Sequence, residues 1–475
     1  MAIINIKDFG AVGNGITNDT ALINKAIFSA KKGDTVYLPC GRYLVGTLKL
    51  KSDITFEMAT DTVLIGSSDL SDYDEVLHDP NNRYMFEKSS YSPFATCGVL
   101  YLDMVENVEV IGGNIVFDDL SFDDKQENNP IIEDNDYISG LGYFRKPKYS
   151  YVPNKPRPVG LYISRSRNIK IKKVSFEKSA FYSAWMLNSS EMLFDGVKIR
   201  NSKYQWNGDG LHFSACNNVE IMNCDILASD DCIAVDGNYG GKSYNFNVHD
   251  CVFESTIHII RLFTGLDFGV EKSCDEDYER YSVSNIKISD CQVLDGAGVL
   301  LLCAFDGNIR DVQIENLTCK QYYEGTAISM SANEGTISGV QIKNCKFDCN
   351  GIGYYCAENN GRIDKVQLEK CQFNVTPKTK FWGDDFPDGL ATHMFSMPYA
   401  MVCKNVEELT LNEVCVQWND AKFTNTFSKQ DADKVRAAWG EQRISEVEPK
   451  NIQTLQLTNS NIKTINCQLE DYVEE

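Results

Sequence analysis

Residues 340–345, VQIKNC, and residues 366–371, VQLEKC, are two copies of one hexamer that recurs along most of the chain. In this hexamer an apolar residue alternates with a polar one, a small polar residue follows, and the last position is often cysteine. Related hexamers begin at Val108, Ile169, Met192, Val219, Phe246, Ile286, Val312, Leu409 and Leu455. Between 169 and 246, and again between 286 and 366, the starts lie 23 to 28 residues apart.

This alternation with a period of two predicts short strands that each bury one face. No helical segment separates one hexamer from the next, so βαβ units are excluded. Leucine-rich repeats have a similar period, but their L-x-x-L-x-L-x-x-N pattern is missing. The strands must therefore stack in parallel, coil on coil, around one continuous core. The sequence predicts an all-β fold, a parallel β-helix (β-solenoid).

A stack of repeats grows without splitting, so residues 1–475 are predicted to form a single domain with an N-terminal cap over about residues 1–35. The cap is expected to contain a short helix with Asn18 as N-cap and Gly33 as C′ residue. Its buried face is predicted to comprise Ala21, Ala26, Ile27 and Ala30. A further helix is expected over Lys429–Trp439. Loop insertions are predicted at about 119–158, 264–282, 374–398 and 418–450.

The chain has 17 cysteines, and no two of them are spaced as C-x-x-C, which argues against a zinc ribbon or a thioredoxin-type site. Five occupy the last position of the hexamer: Cys224, Cys251, Cys291, Cys345 and Cys371. Because equivalent positions of successive coils stack, these thiols are predicted to form an internal ladder and to stay reduced.

The 67 acidic and 46 basic residues give a formal charge of −21. Such a surface repels nucleic acid and anionic membranes, so neither is predicted as a partner. No stretch approaches the roughly 18 apolar residues that a membrane span needs. The first residues, MAIINIKDFGAVGNG, lack a positive segment followed by an apolar run, so no signal peptide is recognised and a cytoplasmic location is expected.

Acidic side chains concentrate in residues 206–237, WNGDGLHFSACNNVEIMNCDILASDDCIAVDG. Asp209 and Asp230 lie 21 residues apart, close to one coil, and Asp231 follows directly. Neighbouring coils are about 5 Å apart, so three carboxylates are expected on one patch, where repulsion should keep one of them protonated. Hydrolysis of a glycosidic bond requires a protonated acid beside ionised carboxylates. Calcium binding is the alternative for such an oxygen-rich cluster.

Two regions of the chain resemble glycoside hydrolase family 28, the polygalacturonase family. Phe9–Ile27 and Leu38–Ser67 look like the opening of that family. The segments NGDG (207–210) and SDDCIAV (229–235) resemble its N-T-D-G and Q-D-D-C signature in order and in spacing. The likeness covers most of the chain and implies a right-handed parallel β-helix whose active site inverts the anomeric carbon.

The resemblance also implies roles for single residues. Asp230 is expected to be the general acid, with Asp209 and Asp231 holding the attacking water and Asn207 supporting the site. Trp206, at the start of the same stretch, is predicted to bind substrate. Neither a cofactor nor a metal ion is predicted for this chemistry.

Two segments depart from the family pattern. In place of G-H-G-I-S-I-G the chain has STIHIIRLFTG (255–265), so His258 is predicted to bind substrate, provided that its side chain points outward. In place of R-I-K it has GVLLLCAF (298–305), with Leu300 and Leu302 at the positions expected to be cationic. Arg261 is predicted to bind an acidic sugar instead. Weak activity on polygalacturonic acid is expected, because leucine cannot pair with a carboxylate.

Two insertions, 143–158 and 381–386, combine aromatic with basic or polar residues. They are interpreted as rims of a sugar-binding cleft or, equally, as loops that pack on the helix. The leading function is an inverting glycoside hydrolase that acts on oligosaccharide or polysaccharide, by preference on short chains or chain ends. A polysaccharide lyase or epimerase on the same scaffold is a second hypothesis, although no basic residue is evident beside Asp209. A non-catalytic glycan-binding β-helix is the third, although binding alone does not need clustered like charges.

Overall fold

The computed structural model describes residues 1–74, 98–127, 149–153, 157–202, 207–238, 241–255, 257–265, 281–296, 298–320, 326–376, 381–383, 399–420, 444–446 and 451–473. Within these ranges no helix is both long enough and apolar enough to cross a membrane. The chain divides into two compact units. Unit 1 comprises Met1–Gln126, Tyr151–Cys251 and Leu266–Glu276, and unit 2 comprises Glu127–Ser150, Val252–Gly265 and Asp277–Glu475.

Unit 1 is built as a right-handed parallel β-helix, in which successive coils contribute strands to three sheets. Its first sheet consists of Ile3–Asn5, Thr35–Leu38, Thr55–Met58, Glu106–Ile111, Arg167–Lys172, Ser190–Asp195, Asn217–Met222 and Ser243–His249. The second consists of Asn14–Asn18, Gly41–Val45, Thr62–Gly66, Asn114–Val116, Ser175–Glu177, Lys198–Arg200 and Asp225–Ala228. The third consists of Leu48–Lys49, Gly98–Asp103, Val159–Ser164, Ala184–Leu187, Leu211–Ser214 and Ile233–Gly237.

Unit 2 has the same architecture. Its first sheet consists of Val283–Ser289, Ile309–Glu315, Thr336–Lys343, Arg362–Glu369, Leu409–Asn412 and Ile462–Ile465. The second consists of Val252–Ser255, Gln292–Asp295, Thr318–Lys320, Lys346–Cys349, Gln372–Val375 and Cys415–Trp418. The third consists of His258–Thr264, Gly298–Ala304, Ile328–Ala332, Gly353–Ala357, Tyr399–Lys404 and Asn451–Thr458, the last of which pairs antiparallel with Tyr472–Val473. The strands Phe381–Gly383 and Ile444–Glu446 form a separate antiparallel pair.

Helices and two further strands complete the described secondary structure. One α-helix spans Thr20–Ser29, and short 3-10 helices span Ile6–Phe9, Leu70–Asp72 and Asp119–Phe122. The remaining strands are Asp123–Glu127 and Tyr149–Pro153. The all-β fold class, with a short capping helix, is thus confirmed. The prediction of a single domain over 1–475 stays a prediction.

The hexamers stack as their spacing predicts. In unit 1, Ile169 lies in register with Val108 and with Met192. In unit 2, Val340 lies in register with Val312 and with Val366. The predicted burial of the hexamer cysteines is also confirmed, because Cys224, Cys251, Cys291, Cys345 and Cys371 are all buried free thiols. Their stacking into one ladder stays a prediction. One hexamer was assigned wrongly: Leu455 belongs to the third sheet, in register with Met401. Alternation alone does not distinguish the sheets, because all three have the same period.

The capping helix differs in detail from its prediction. It begins after Asp19 rather than Asn18 and ends at Ser29, with Ala30 as C-cap in place of Gly33. Its buried side chains are Ile23, Ala26 and Ile27, whereas the predicted Ala21 is exposed. The Asp19 side chain does not cap the helix. Its carboxylate accepts hydrogen bonds from the backbone N–H groups of Val12 and Gly13, so contacts outside the helix fix the residue at which it begins. The helix predicted over Lys429–Trp439 lies outside the described residues.

Candidate active site

The site is built on a tight turn of unit 1, Asn207–Gly210, which precedes the strand Leu211–Ser214. Asn207 adopts a left-handed backbone conformation with φ +53°, which asparagine tolerates better than most residues. At Gly210 an added Cβ would lie 2.4 Å from the carbonyl oxygen of Cys232, so only glycine allows the neighbouring coil to approach this closely. The two glycines of NGDG therefore serve close packing between coils.

Asp209 and Asp231 occupy neighbouring coils at equivalent positions. The Gly210 N–H donates to the Asp231 carbonyl oxygen at 2.8 Å, and Leu211 lies in register with Ile233. Both carboxylates are buried, with Asp209 at 3% and Asp231 at 2% exposure, whereas Asp230 is half-buried. Of the three predicted catalytic carboxylates, Asp230 is thus the most accessible to a ligand.

Asn207 is held by Arg157, whose guanidinium Nη2 donates to the Asn207 Oδ1 at 3.0 Å. Arg157 is only 2% exposed, and its guanidinium carbon lies 4.5 Å from the centroid of the Phe181 ring. Arg157 belongs to the insertion predicted to form a cleft rim, so part of that insertion supports the turn. Trp206 lies outside the described residues.

His212 connects Asp209 to the next coil. Its Nδ1 lies 2.7 Å from the Asp209 Oδ2, and its Nε2 lies 3.0 Å from the Asp236 Oδ2. Burial disfavours the imidazolium, but the charge of Asp236 and the hydrogen bonds to both carboxylates outweigh burial and raise the pKa of His212 to about 9. The pKa in the unfolded chain is about 6.5. The ion pairs therefore stabilise the fold fully below that pH, and the stabilisation is lost as the pH rises through about 9.

Aromatic side chains line the outer row of the third sheet beside this group. Tyr101, Tyr162, Trp185 and His212 lie in register on successive coils. Tyr182 stacks on the His212 ring with 4.4 Å between centroids, and it meets the edge of Trp185 at 5.9 Å. Stacked and edge-to-face rings hold one another in fixed orientations. The His212 ring is therefore fixed by packing as well as by its hydrogen bonds.

The other predicted binding residues, His258 and Arg261, lie in unit 2 on the strand His258–Thr264. His258 is 6% exposed and lies in register with Gly298, and the half-buried Arg261 lies in register with Leu301. Since side chains alternate along a strand, His258 and Arg261 point to opposite faces. A substrate-binding role stays a prediction for both.

The expectation for Leu300 and Leu302 rested on a wrong register. Leu302 belongs to a row of core residues that are 0% exposed, namely Leu262, Leu302, Met330, Tyr355 and Cys403. Leu300 points to the same face, because it lies two residues away on the same strand. The residue beside Arg261 is Leu301. A one-residue offset exchanges the two faces of a strand, and the leucines were assigned to the wrong face.

In the described part of the chain, no group of three or more His, Cys, Asp or Glu side chains is arranged to hold a metal ion. The calcium site considered from the sequence stays a prediction.

Comparisons with known proteins show what the chain is similar to. A family model for glycosyl hydrolases family 28 matches residues 139–355, which include the whole Asp209–Asp236 region, and a model for rhamnogalacturonase A/epimerase, pectate lyase-like, matches residues 3–93. Over these central residues the chain resembles glycoside hydrolase family 28.

Relatives of this chain include a probable polygalacturonase of Vitis vinifera, 22% identical over 66% of this chain and 60% of the relative. An exo-poly-alpha-D-galacturonosidase of Dickeya chrysanthemi is 24% identical over 49% of this chain and 41% of the relative. The chain thus spans less than two thirds of either relative. Among solved structures, the family 28 exopolygalacturonase of Yersinia enterocolitica matches 89% of this chain and 77% of its own, with a TM-score of 0.60 and 16% identity, which shows the shared fold.

Three residues of the candidate site were missed from the sequence: Arg157, His212 and Asp236. A signal for two of them was present, because His212 follows Asp209 by three residues and Asp236 follows Asp231 by five. Strand alternation predicts His212 and Asp236 on one face only once the register of the two coils is known. Arg157 lies 50 residues before Asn207, and no local pattern connects the two.

Gly210→Ala is expected to destabilise the β-helix by about 1–3 kcal/mol, because the added methyl group meets the Cys232 carbonyl group, which cannot move without breaking its hydrogen bond from the Leu211 N–H. Activity should fall by about 10²-fold, since small displacements of catalytic groups have such effects. Gly196→Ala is the matched control. Its left-handed backbone would strain an alanine and cost stability, but its added Cβ would lie 3.5 Å from the nearest atom and so would meet no neighbouring coil. Thermal denaturation should show a loss of stability in both variants. Activity assays should show a loss in Gly210→Ala alone.

Proposed function

We propose that this chain is an inverting glycosidase that releases galacturonic acid residues from the ends of oligosaccharides. The observation that carries the proposal is the pairing of two buried carboxylates, Asp209 and Asp231, on neighbouring coils, with the half-buried Asp230 directly before Asp231. Clustered carboxylates with different degrees of exposure suit an acid and a base that must hold different protonation states. The family match and the named activities of the relatives support the same reaction.

The mechanism assigns one step to each carboxyl group. Protonated Asp230 donates its proton to the glycosidic oxygen as the bond between that oxygen and the anomeric carbon breaks. A water molecule held by Asp209 and Asp231 attacks the anomeric carbon from the opposite face and gives its proton to one of these carboxylates. The products are a sugar with inverted anomeric configuration and a shortened chain. The carboxylate that took the proton from water then releases it to solvent, and Asp230 takes up a proton, which restores the enzyme.

The substrate class follows from the relatives and from the corrected register. Leu300 and Leu302 belong to the core row, so they give no information about the sugar, and the expectation of weak activity on polygalacturonic acid loses its basis. The relatives are named for polygalacturonate and for exo-action on it. We therefore propose a galacturonic acid residue at the cleaved chain end.

Incubation with trigalacturonate and with polygalacturonate tests this function. Hydrolysis should produce new reducing ends and free galacturonic acid, with no unsaturated product absorbing in the ultraviolet. Proton NMR at early times should show the inverted anomer. An unsaturated product would instead identify a lyase, and binding without turnover would identify a glycan-binding protein. Release of internal fragments of mixed length would contradict the exo-action.

A further inference from the structure

One buried group near the site has no part in the reaction described above. His212 lies between Asp209 and Asp236, and the side chains of all three residues are 4% exposed. A neutral imidazole can donate from only one ring nitrogen, whereas the imidazolium donates from both. With a carboxylate at 2.7 Å from one nitrogen and another at 3.0 Å from the other, the geometry is that of an imidazolium between two anions.

We propose that His212 is a positioning residue that keeps Asp209 ionised and holds its carboxylate in one orientation for activation of the attacking water. This inference rests on the proposed function. A buried carboxylate with no cation beside it favours its protonated form, in which it cannot accept a proton from water. A charge-assisted hydrogen bond at 2.7 Å opposes that tendency and restricts rotation of the carboxylate.

Asp236 acts on Asp209 through the imidazole ring. It lies in register with Ser214, two residues beyond His212, and accepts from Nε2, so it favours the charged form of the ring. The Asn238 side-chain amide donates to the same Asp236 Oδ2 at 3.3 Å, which fixes this carboxylate in turn. The three charged groups together carry one net negative charge, whereas removal of the imidazolium would leave two buried negative charges.

The titratable groups that contact the imidazole among the described residues are Asp209 from its own segment, Asp236 from the strand Ile233–Gly237 and the stacked Tyr182. A matched control exists on the surface of the same unit. The His249 Nδ1 lies 2.7 Å from Asp250 and its Nε2 lies 3.5 Å from Glu220, but these carboxylates are exposed. His249 thus has the same kind of partners outside the site.

The test is the pH profile of kcat/KM for galacturonate oligosaccharides. In His212→Gln the acidic limb, which reports ionisation of the base, should move upward by about one to three pH units, as expected when an opposite charge at this distance is removed. His212→Gln combined with Asp236→Asn restores the net charge of the group, so the limb should return part of the way. Asp236→Asn alone should not raise it, because loss of this negative charge favours ionised Asp209 while the imidazolium remains, and His249→Gln should leave it unchanged. A structural role alone would lower activity at every pH without moving the limb.

A second readout does not depend on turnover. With ¹³C-labelled aspartate, the carboxyl signal of Asp209, assigned by its loss in Asp209→Asn, should titrate at higher pH in His212→Gln than in the wild type. If His212→Gln does not fold, the comparison is made without Asp236: the Asp209 signal should titrate at higher pH in His212→Gln combined with Asp236→Asn than in Asp236→Asn alone. Unchanged titration of Asp209 together with an unchanged acidic limb would overturn the role of His212. A wild type that cleaves no glycoside, but whose Asp209 titration depends on His212, would overturn only the proposed function.

Discussion

Asp230→Asn is expected to lower kcat on a galacturonate oligosaccharide by about 10²- to 10⁴-fold, the usual contribution of general acid catalysis. Asparagine keeps the shape of the side chain but has no proton to give to the leaving oxygen. The loss should be much smaller on an aryl glycoside of the same sugar, because a good leaving group departs without protonation. Steady-state kinetics on both substrates measure the difference.

The matched control for this substitution is Asp225→Asn. Asp225 lies in the same unit, pairs with Arg200 on the surface and has a 40% exposed side chain. Its replacement should leave both rates within about twofold of the wild type, since exposed ion pairs contribute little. Full activity of Asp230→Asn on the natural oligosaccharide would contradict its role as the acid. An equal loss on both substrates would assign Asp230 to the water instead.

Asp231→Asn is expected to cause a loss of similar size, about 10²- to 10⁴-fold, for a different reason. The variant lacks one of the two carboxylates that hold and activate the water, so a better leaving group should not restore its rate. A small anion that needs no deprotonation, such as azide, should restore part of the activity and give a glycosyl azide of inverted configuration. Rescue by azide in Asp231→Asn but not in Asp230→Asn would separate base from acid. Recovery of Asp231→Asn with the aryl glycoside would exchange the two assignments.

Much of the fold could be predicted because its information is local and repeated. The hexamers at Ile169 and Val340 each predicted a strand, and their spacing predicted a parallel stack. The stack in turn predicted the buried cysteines. The Asp209 and Asp231 pair was predictable for the same reason, because 22 residues are one coil at this point of the chain. Repetition amplifies a signal that a single strand would not carry.

Prediction from the sequence failed where a register error of one residue changes the face of the strand on which a side chain lies. Leu302 was expected to face a ligand and instead belongs to the core row, while Arg261 lies on the opposite face of its strand from His258. Coil lengths differ along the chain, so alternation fixes which residues share a face but not which of the two faces is outward.

The sequence by itself determined the β-helix and the carboxylates of the candidate site, because both follow from a repeated spacing and from residue type. Only the tertiary structure brought His212 between Asp209 and Asp236 and placed Arg157 against Asn207. These contacts join side chains from separate coils or from a loop to a turn. The first depends on the register between neighbouring coils, and the second on where the loop that carries Arg157 packs. No local pattern of residues determines either.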